Sequence, residues 1–129
     1  MGEKIVIIDD RYPHYCEERE VLARIRAQVV QIKGLDPAEI KAACADAAGI
    51  IVNLAPITAD LVAGFEKCRV ISRYGVGYDA VDVPAATAKK IWVANVPDYC
   101  DEDVSDQACA LFMSCVRKVA LRDRLVRGG

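Results

Sequence analysis

The chain has 129 residues, of which 53% are hydrophobic and 28% are charged. This length fits one domain of ordinary size and excludes a two-domain enzyme with a complete cofactor domain of its own. The 17 basic and 19 acidic residues give a formal net charge of −2, so no overall positive field favours a nucleic-acid partner. No segment approaches the roughly 20 apolar residues that cross a bilayer, and we expect no membrane partner.

The N-terminus and the cysteines indicate a cellular compartment. The first residues, Met1-Gly2-Glu3-Lys4, form no signal-peptide pattern, so we expect a cytoplasmic protein. Six cysteines without a CxxC pair, beside the single histidine His14, favour free thiols over a metal or redox site. We expect these thiols to be buried as small hydrophobic groups, with three in apolar helical patterns: Cys44, Cys109 and Cys115.

Short apolar segments alternate with helical segments along the first 94 residues. The predicted strands cover residues 4–9, 28–33, 48–53, 69–73 and 91–94, and the predicted helices cover 17–27, 38–47, 58–65 and 84–90. Strands that alternate with helices imply right-handed crossovers and a parallel sheet. The sequence therefore predicts an α/β fold in which helices flank a five-stranded parallel sheet, with Trp92 packed beside it.

One long helix is predicted after the sheet, from Asp103 to Arg127, with a length of about 37 Å at 1.5 Å per residue. Acidic residues begin this segment and arginines end it, as the helix dipole favours. An apolar stripe runs along it: Val104, Ala108, Leu111, Phe112, Cys115 and Val119. The helix is longer than the sheet needs, so we expect its stripe to pack on something else.

Ligands bind beyond the carboxyl ends of the strands in open parallel sheets. Four segments lie there: Asp9-Asp10, 53–56, 73–78 and 95–97. In the third, Gly75 and Gly77 flank Val76, and exposed N–H groups in such a turn attract anions. Arg73 beside them could bind a carboxylate. The alternative is an ordinary turn that needs glycine, with Arg73 in solvent.

Two segments resemble one enzyme family. The run Arg73-Tyr74-Gly75-Val76-Gly77-Tyr78-Asp79-Ala80-Val81-Asp82 is similar to the signature loop of the D-isomer-specific 2-hydroxyacid dehydrogenases. The segment from Asn95 to Asp106 resembles the entry to their interdomain helix. Within this family, the residues of the two segments are most similar to those of phosphoglycerate dehydrogenase-like proteins and C-terminal-binding co-repressors.

The resemblance implies a flavodoxin-like substrate-binding domain over residues 1–100. It also implies an interdomain helix over 101–129 that leads to a Rossmann domain for NAD, which this chain lacks. No GxGxxG motif occurs in the sequence, and no residue matches the catalytic Arg, Glu or His of the family. We therefore expect a truncated piece of an NAD-dependent oxidoreductase that is inactive alone.

The resemblance also implies roles for single residues. The N–H groups of Val76 and Gly77 would hold the carboxylate of a 2-oxo or 2-hydroxy acid. The remaining residues would line the pocket: Arg73, Tyr74, Asn53 and Leu54. Val104 matches a position near the nicotinamide, although Ser105-Asp106 follows it where relatives often have Ala-Glu.

Two other functions stay open. Asp9-Asp10 after the first strand is typical of response-regulator receivers, but Asn53 stands where their phosphorylated Asp would be. This pattern leaves a non-phosphorylated pseudo-receiver as one alternative. The resemblance to the co-repressors gives the other, a binding module, although the sequence contains no peptide-binding signal. For any of these functions, we expect a homodimer through the long C-terminal helix, because its apolar stripe would otherwise be exposed.

Overall fold

The computed structural model describes residues 2–8, 11–34 and 36–129. The predicted pair Asp9-Asp10 therefore lies outside the described residues. The chain divides into two compact units, Met1–Pro97 and Asp98–Gly129.

The first unit contains a parallel sheet with helices in its connections. Its strands are β1 (Lys4–Ile8), β2 (Gln28–Ile32), β3 (Gly49–Val52), β4 (Val70–Arg73) and β5 (Trp92–Ala94). Its helices are α1 (Cys16–Ala23), α2 (Pro37–Cys44), α3 (Ala59–Ala63) and α4 (Val83–Ala88). The strands pair in the order β2-β1-β3-β4-β5, which is the doubly wound order of flavodoxin-like folds. The predicted fold class is confirmed.

Polar side chains begin three of these helices where the sequence places them. Asp36 accepts a hydrogen bond from Ala38 N–H, Thr58 accepts one from Leu61 N–H, and Asp82 accepts one from Ala85 N–H. Each bond satisfies a backbone donor that the first helical turn leaves open. Prolines in the first turns of α2 and α4 suit these starts. Asp82 therefore stabilises the start of α4.

A lysine closes the C-terminus of α3 from the end of α4. The Lys89 Nζ donates to the carbonyl oxygens of Val62, Ala63 and Phe65 at 3.1, 2.9 and 2.7 Å. Carbonyls at a helix end lack partners within their own helix, so this ammonium ties α3 to α4 with three bonds.

The core lies between the sheet and its helices. Strand β1 is apolar on both faces, and Val6, Ile7 and Ile8 are fully buried. Phe65 is the largest of the fully buried side chains. The helices pack Ile40, Cys44, Leu61 and Val62 against the strands. Burial on both faces is what a parallel sheet requires.

Two predictions for the first unit are wrong in detail. Helix α1 ends at Ala23 rather than at residue 27, because the chain turns into a left-handed conformation at Arg26, with φ of 55°. Trp92 does not pack beside the sheet and is 79% exposed. It lies on β5, an edge strand with a neighbour on one side only.

The second unit is helical. It contains α5 (Asp101–Arg117) and α6 (Val119–Gly128). The predicted continuous helix from 103 to 127 is wrong, because Lys118 has left-handed dihedral angles (φ 52°, ψ 42°) that end α5. The long α5 itself is confirmed; its 17 residues span about 25 Å. Every residue from Asp101 to Gly129 is exposed.

The thiols differ from the expectation of general burial. Cys44 and Cys68 are buried, whereas Cys16, Cys109 and Cys115 are exposed. The expectation is therefore wrong for Cys16, Cys109 and Cys115, since neither α1 nor α5 places a residue in a core. Burial raises the pKa of the Cys44 thiol to about 12. In the described part of the chain, no helix is long and apolar enough to cross a membrane.

Candidate functional site

The loops that follow β3 and β4 lie side by side. These strands are neighbours, with Val52 paired to Arg73 in parallel register. The Tyr74 N–H continues the pairing by donating to the Val52 carbonyl oxygen at 2.9 Å. The chain then leaves both strands at the same edge, so the predicted pocket residues of the two loops, 53–54 and 73–77, come together.

The loop after β4 presents unused backbone donors. Gly75 has φ of 103°, a conformation that side chains with a Cβ rarely adopt. Within the described residues, the N–H groups of Gly75, Val76 and Gly77 donate no hydrogen bond to the protein. Consecutive free N–H groups around a glycine with positive φ form a concavity that attracts anions. The loop therefore has the backbone geometry of a carboxylate site.

The carbonyl oxygens of this loop are already bonded to the segment after β5. The Val96 N–H donates to Gly75 O at 3.0 Å, and the Asn95 Nδ2 donates to Val76 O at 2.7 Å. These bonds fix the orientation of the peptide groups and leave the donors for a ligand. The sequence places Asn95 at this edge, but its spacing gives no sign that the amide holds the loop.

Arg73 lies partly buried at the end of β4. Its Nε donates to the Asn53 carbonyl oxygen at 3.3 Å, which holds the guanidinium at the β3 loop. Among the described residues no carboxylate forms an ion pair with it. A guanidinium has five N–H donors, so four stay available for the two oxygens of a carboxylate.

Two apolar side chains border the same edge. Leu54 is 46% exposed and Val76 is 40% exposed. Each belongs to one of the two adjacent loops, so together they offer an apolar surface beside the free N–H groups. A small organic acid matches this surface, because its carboxylate can accept from the N–H groups and its short carbon chain can contact the apolar side chains.

Tyr74 connects the loop to helix α1. Its hydroxyl donates to the Glu18 Oε1 at 2.6 Å, and its ring lies 5.4 Å from that of Tyr12, centroid to centroid. Burial, and next the hydrogen bond to Glu18, raise the pKa of Tyr74 above its usual value. Tyr12 also contacts Tyr15 edge to face. The sequence analysis missed Glu18, because a carboxylate on an exposed helix gives no signal for a partner 56 residues away.

The remaining predicted site residue lies in the second unit. Val104 is in the first turn of α5 and is 61% exposed. The first unit thus brings together Asn53, Leu54, Arg73, Tyr74, Val76 and Gly77, whereas Val104 is described with α5 alone. The described residues contain no cluster of three or more His, Cys, Asp or Glu suited to a metal ion.

Comparisons with known proteins agree on one family. Residues 5–116 match the family model of the D-isomer specific 2-hydroxyacid dehydrogenase catalytic domain. Human D-3-phosphoglycerate dehydrogenase is 35% identical over 115 residues, which cover 88% of this chain and 21% of that protein. The chain therefore spans about a fifth of the length of this curated relative.

Two solved structures resemble the whole or most of the chain. The NADPH-dependent glyoxylate/hydroxypyruvate reductase from Sinorhizobium meliloti, solved with NADP and malonate, has a TM-score of 0.79 and 29% identity over 100% of this chain and 39% of its own. The NAD+-bound 3-phosphoglycerate dehydrogenase from Entamoeba histolytica has a TM-score of 0.68 and 30% identity over 74% of this chain and 33% of its own.

Proposed function

The chain belongs to the D-isomer specific 2-hydroxyacid dehydrogenase family, and from this premise we propose that it forms the substrate-binding part of an oxidoreductase for small 2-oxo or 2-hydroxy acids. The whole protein would interconvert the two acids by hydride transfer with NAD or NADP. The single observation that supports this most is the loop from Arg73 to Tyr78, in which free N–H groups lie beside a guanidinium.

Each pocket residue has a role that follows from its chemistry. The N–H groups of Val76 and Gly77 bind the carboxylate of the acid, because they are fixed donors that meet no acceptor among the described residues. Arg73 adds a charge-assisted bond to the same carboxylate. Asn53 holds Arg73 through its carbonyl oxygen, and Leu54 supplies an apolar wall.

Tyr74 lines the pocket with its ring. Its hydroxyl is already bonded to Glu18, so the side chain shapes the pocket rather than donating a further bond to the acid.

The nicotinamide cofactor supplies the hydride when it is bound. The residues of this chain do not suit the rest of the dinucleotide, because its pyrophosphate needs a glycine-rich turn at a helix N-terminus and no GxGxxG occurs in the sequence. We place the cofactor mainly on a separate Rossmann domain. Val104 is the one residue of this chain to which we assign a contact with the nicotinamide ring of the cofactor.

The 129 residues by themselves should not turn over a substrate. His14 is the only histidine of the chain, and its Nδ1 lies 3.6 Å from the Glu17 carboxylate. Among the residues that the structure describes, no group at the candidate site is suited to move a proton to or from the 2-oxygen of the acid. Steady NADH or NADPH oxidation with pyruvate by the chain alone would contradict this proposal.

Binding of a 2-oxo acid tests the proposal directly. In a ¹⁵N NMR titration with pyruvate, we expect saturating shifts at the Val76 and Gly77 amides. Methyl pyruvate has the same carbon skeleton without the carboxylate and serves as the matched control, with no shifts at these amides. Equal shifts with both compounds, or none with pyruvate, would contradict a carboxylate site in this loop.

A homodimer is the assembly that we propose, built on α5. Its side chains Val104, Leu111 and Phe112 are each more than half exposed, and apolar patches on a helix favour association. Light scattering should give twice the chain mass, and Phe112→Glu should return the monomer. A monomeric wild-type chain at high concentration would contradict this assembly.

A further inference from the structure

A hydrogen bond joins the end of β4 to helix α1, between residues 56 positions apart in the chain. The Tyr74 hydroxyl donates to the Glu18 Oε1 at 2.6 Å. Tyr74 directly precedes Gly75, the residue whose positive φ forms the anion-binding turn. Helix α1 has no buried residue, and within the described residues this bond is the side-chain hydrogen bond that links the helix to the candidate site.

The environment of Glu18 makes this link strong. Its second oxygen, Oε2, is buried and has no hydrogen-bond partner among the described residues. The carboxylate is therefore poorly solvated, and the Tyr74 hydroxyl is the donor that meets it. A hydrogen bond to an ionised acceptor is about twice as strong as one between neutral groups. Burial and this bond also raise the pKa of Tyr74, so the phenol stays a donor even in alkaline solution where an ordinary tyrosine ionises.

The turn is held from its other side as well. Asn95 and Val96 bind the carbonyl oxygens of Val76 and Gly75. The turn is thus fixed at its start through Tyr74 and at its carbonyl oxygens by the segment after β5. Loss of either side would let the peptide groups rotate, and free N–H groups that point in several directions bind an anion less well.

We propose that Glu18 is a positioning residue that holds Tyr74, and through it the loop 73–78, in the conformation that binds the carboxylate. This inference rests on the proposed function for its ligand. Glu18 acts through Tyr74 and does not contact the acid.

A positioning role and a purely electrostatic role predict opposite results for Glu18→Gln. If the carboxylate only repelled an anionic ligand, its removal would tighten pyruvate binding. If it positions Tyr74, the amide oxygen of glutamine still accepts the hydroxyl bond, and the affinity stays within about twofold. Glu18→Ala removes the acceptor, and Tyr74→Phe removes the donor.

The test measures ligand affinity and loop order in these variants of the full chain. We expect Glu18→Ala and Tyr74→Phe each to weaken pyruvate binding about fivefold, because only part of the free energy of this bond reaches the ligand through the loop. The double variant should lose no more than either single variant, because both remove the same bond. Hydrogen exchange of the Val96 amide, which is bonded to Gly75 O, should speed up by a similar factor, while that of Ile7 in the core stays unchanged.

The outcomes separate this inference from the proposed function. No pyruvate binding by the wild-type chain would overturn the proposed function and the ligand part of the inference together. Binding by the wild type with unchanged affinity and unchanged Val96 exchange in Glu18→Ala would overturn the inference alone. Additive losses in the double variant, or tighter binding in Glu18→Gln, would also overturn it, whereas rescue by glutamine with a lowered pKa of Tyr74 supports it.

Discussion

Replacement of Gly75 by alanine should destabilise the protein, whereas the same change at Gly77 should not. Gly75 has φ of 103°, where a residue with a Cβ is strained by about 1–3 kcal/mol. At Gly77, φ is not in this range, and an added Cβ would meet only the Asp79 Oδ2 at 3.5 Å, an ordinary contact. Alanine there also restricts the unfolded chain, which stabilises by about 0.4–1 kcal/mol.

The restriction of the unfolded chain is common to both changes, so the two alanine variants should differ by the strain at Gly75, about 1–3 kcal/mol in the free energy of unfolding. Urea denaturation followed by circular dichroism measures this difference, with unchanged m-values as the sign that the unfolded states are alike. The Gly75→Ala variant should also bind pyruvate less well, because relief of the strain rotates the Val76 N–H. Equal stabilities, or a more stable Gly75→Ala variant, would refute the assignment of strain to this turn.

Three further predictions concern the stability and the thiols. Lys89→Met should lower the free energy of unfolding by about 1–2 kcal/mol, because it removes three bonds to carbonyl oxygens; Lys90→Met, which removes the same charge, should have less than half this effect in the same urea titration. Thiol reagents at pH 8 should modify the exposed Cys109 quickly and the buried Cys44 only as the chain unfolds; equal rates would contradict this. The unfolded chain ionises tyrosines near pH 10, while Tyr74 keeps its proton because its pKa is raised. The free energy of unfolding should therefore fall as the pH rises above about 10, and Tyr74→Phe should flatten this fall.

The sheet could be predicted from sequence because its signals are local. Each strand is a short apolar run, and Asp36, Thr58 and Asp82 mark helix starts by their side-chain chemistry. The strand order follows from the alternation of strands and helices together with the family resemblance. The prediction that Trp92 packs beside the sheet is wrong, because an apolar run does not show which strand lies at the edge and lacks a second neighbour.

The C-terminal helices show a different limit. The apolar spacing continues across Lys118, yet a single left-handed residue ends α5 there. Hydrophobic periodicity records which face is apolar and contains no information about one pair of dihedral angles. The predicted burial of Cys109 and Cys115 fails for a related reason, since an apolar stripe is buried only where a second surface covers it.

At the candidate site, the loop could be predicted from the sequence, but the hydrogen bonds that hold it could not. Gly75 and Gly77 around Val76, with Arg73 beside them, could be recognised from the family resemblance, whereas their spacing alone is also typical of an ordinary turn. The bonds from Glu18 to Tyr74 and from Asn95 to Val76 could not, because each joins residues that are distant in sequence. Such contacts depend on the strand order and register, which become known only with the fold.

A crystal structure of this chain with pyruvate tests the central claim most directly. We predict that the carboxylate lies over the turn after β4, with its oxygens about 2.7–3.2 Å from the backbone nitrogens of Val76 and Gly77. The Arg73 guanidinium should contact the same carboxylate. Pyruvate bound elsewhere in the chain, with the Val76 and Gly77 N–H groups directed at solvent, would contradict the account.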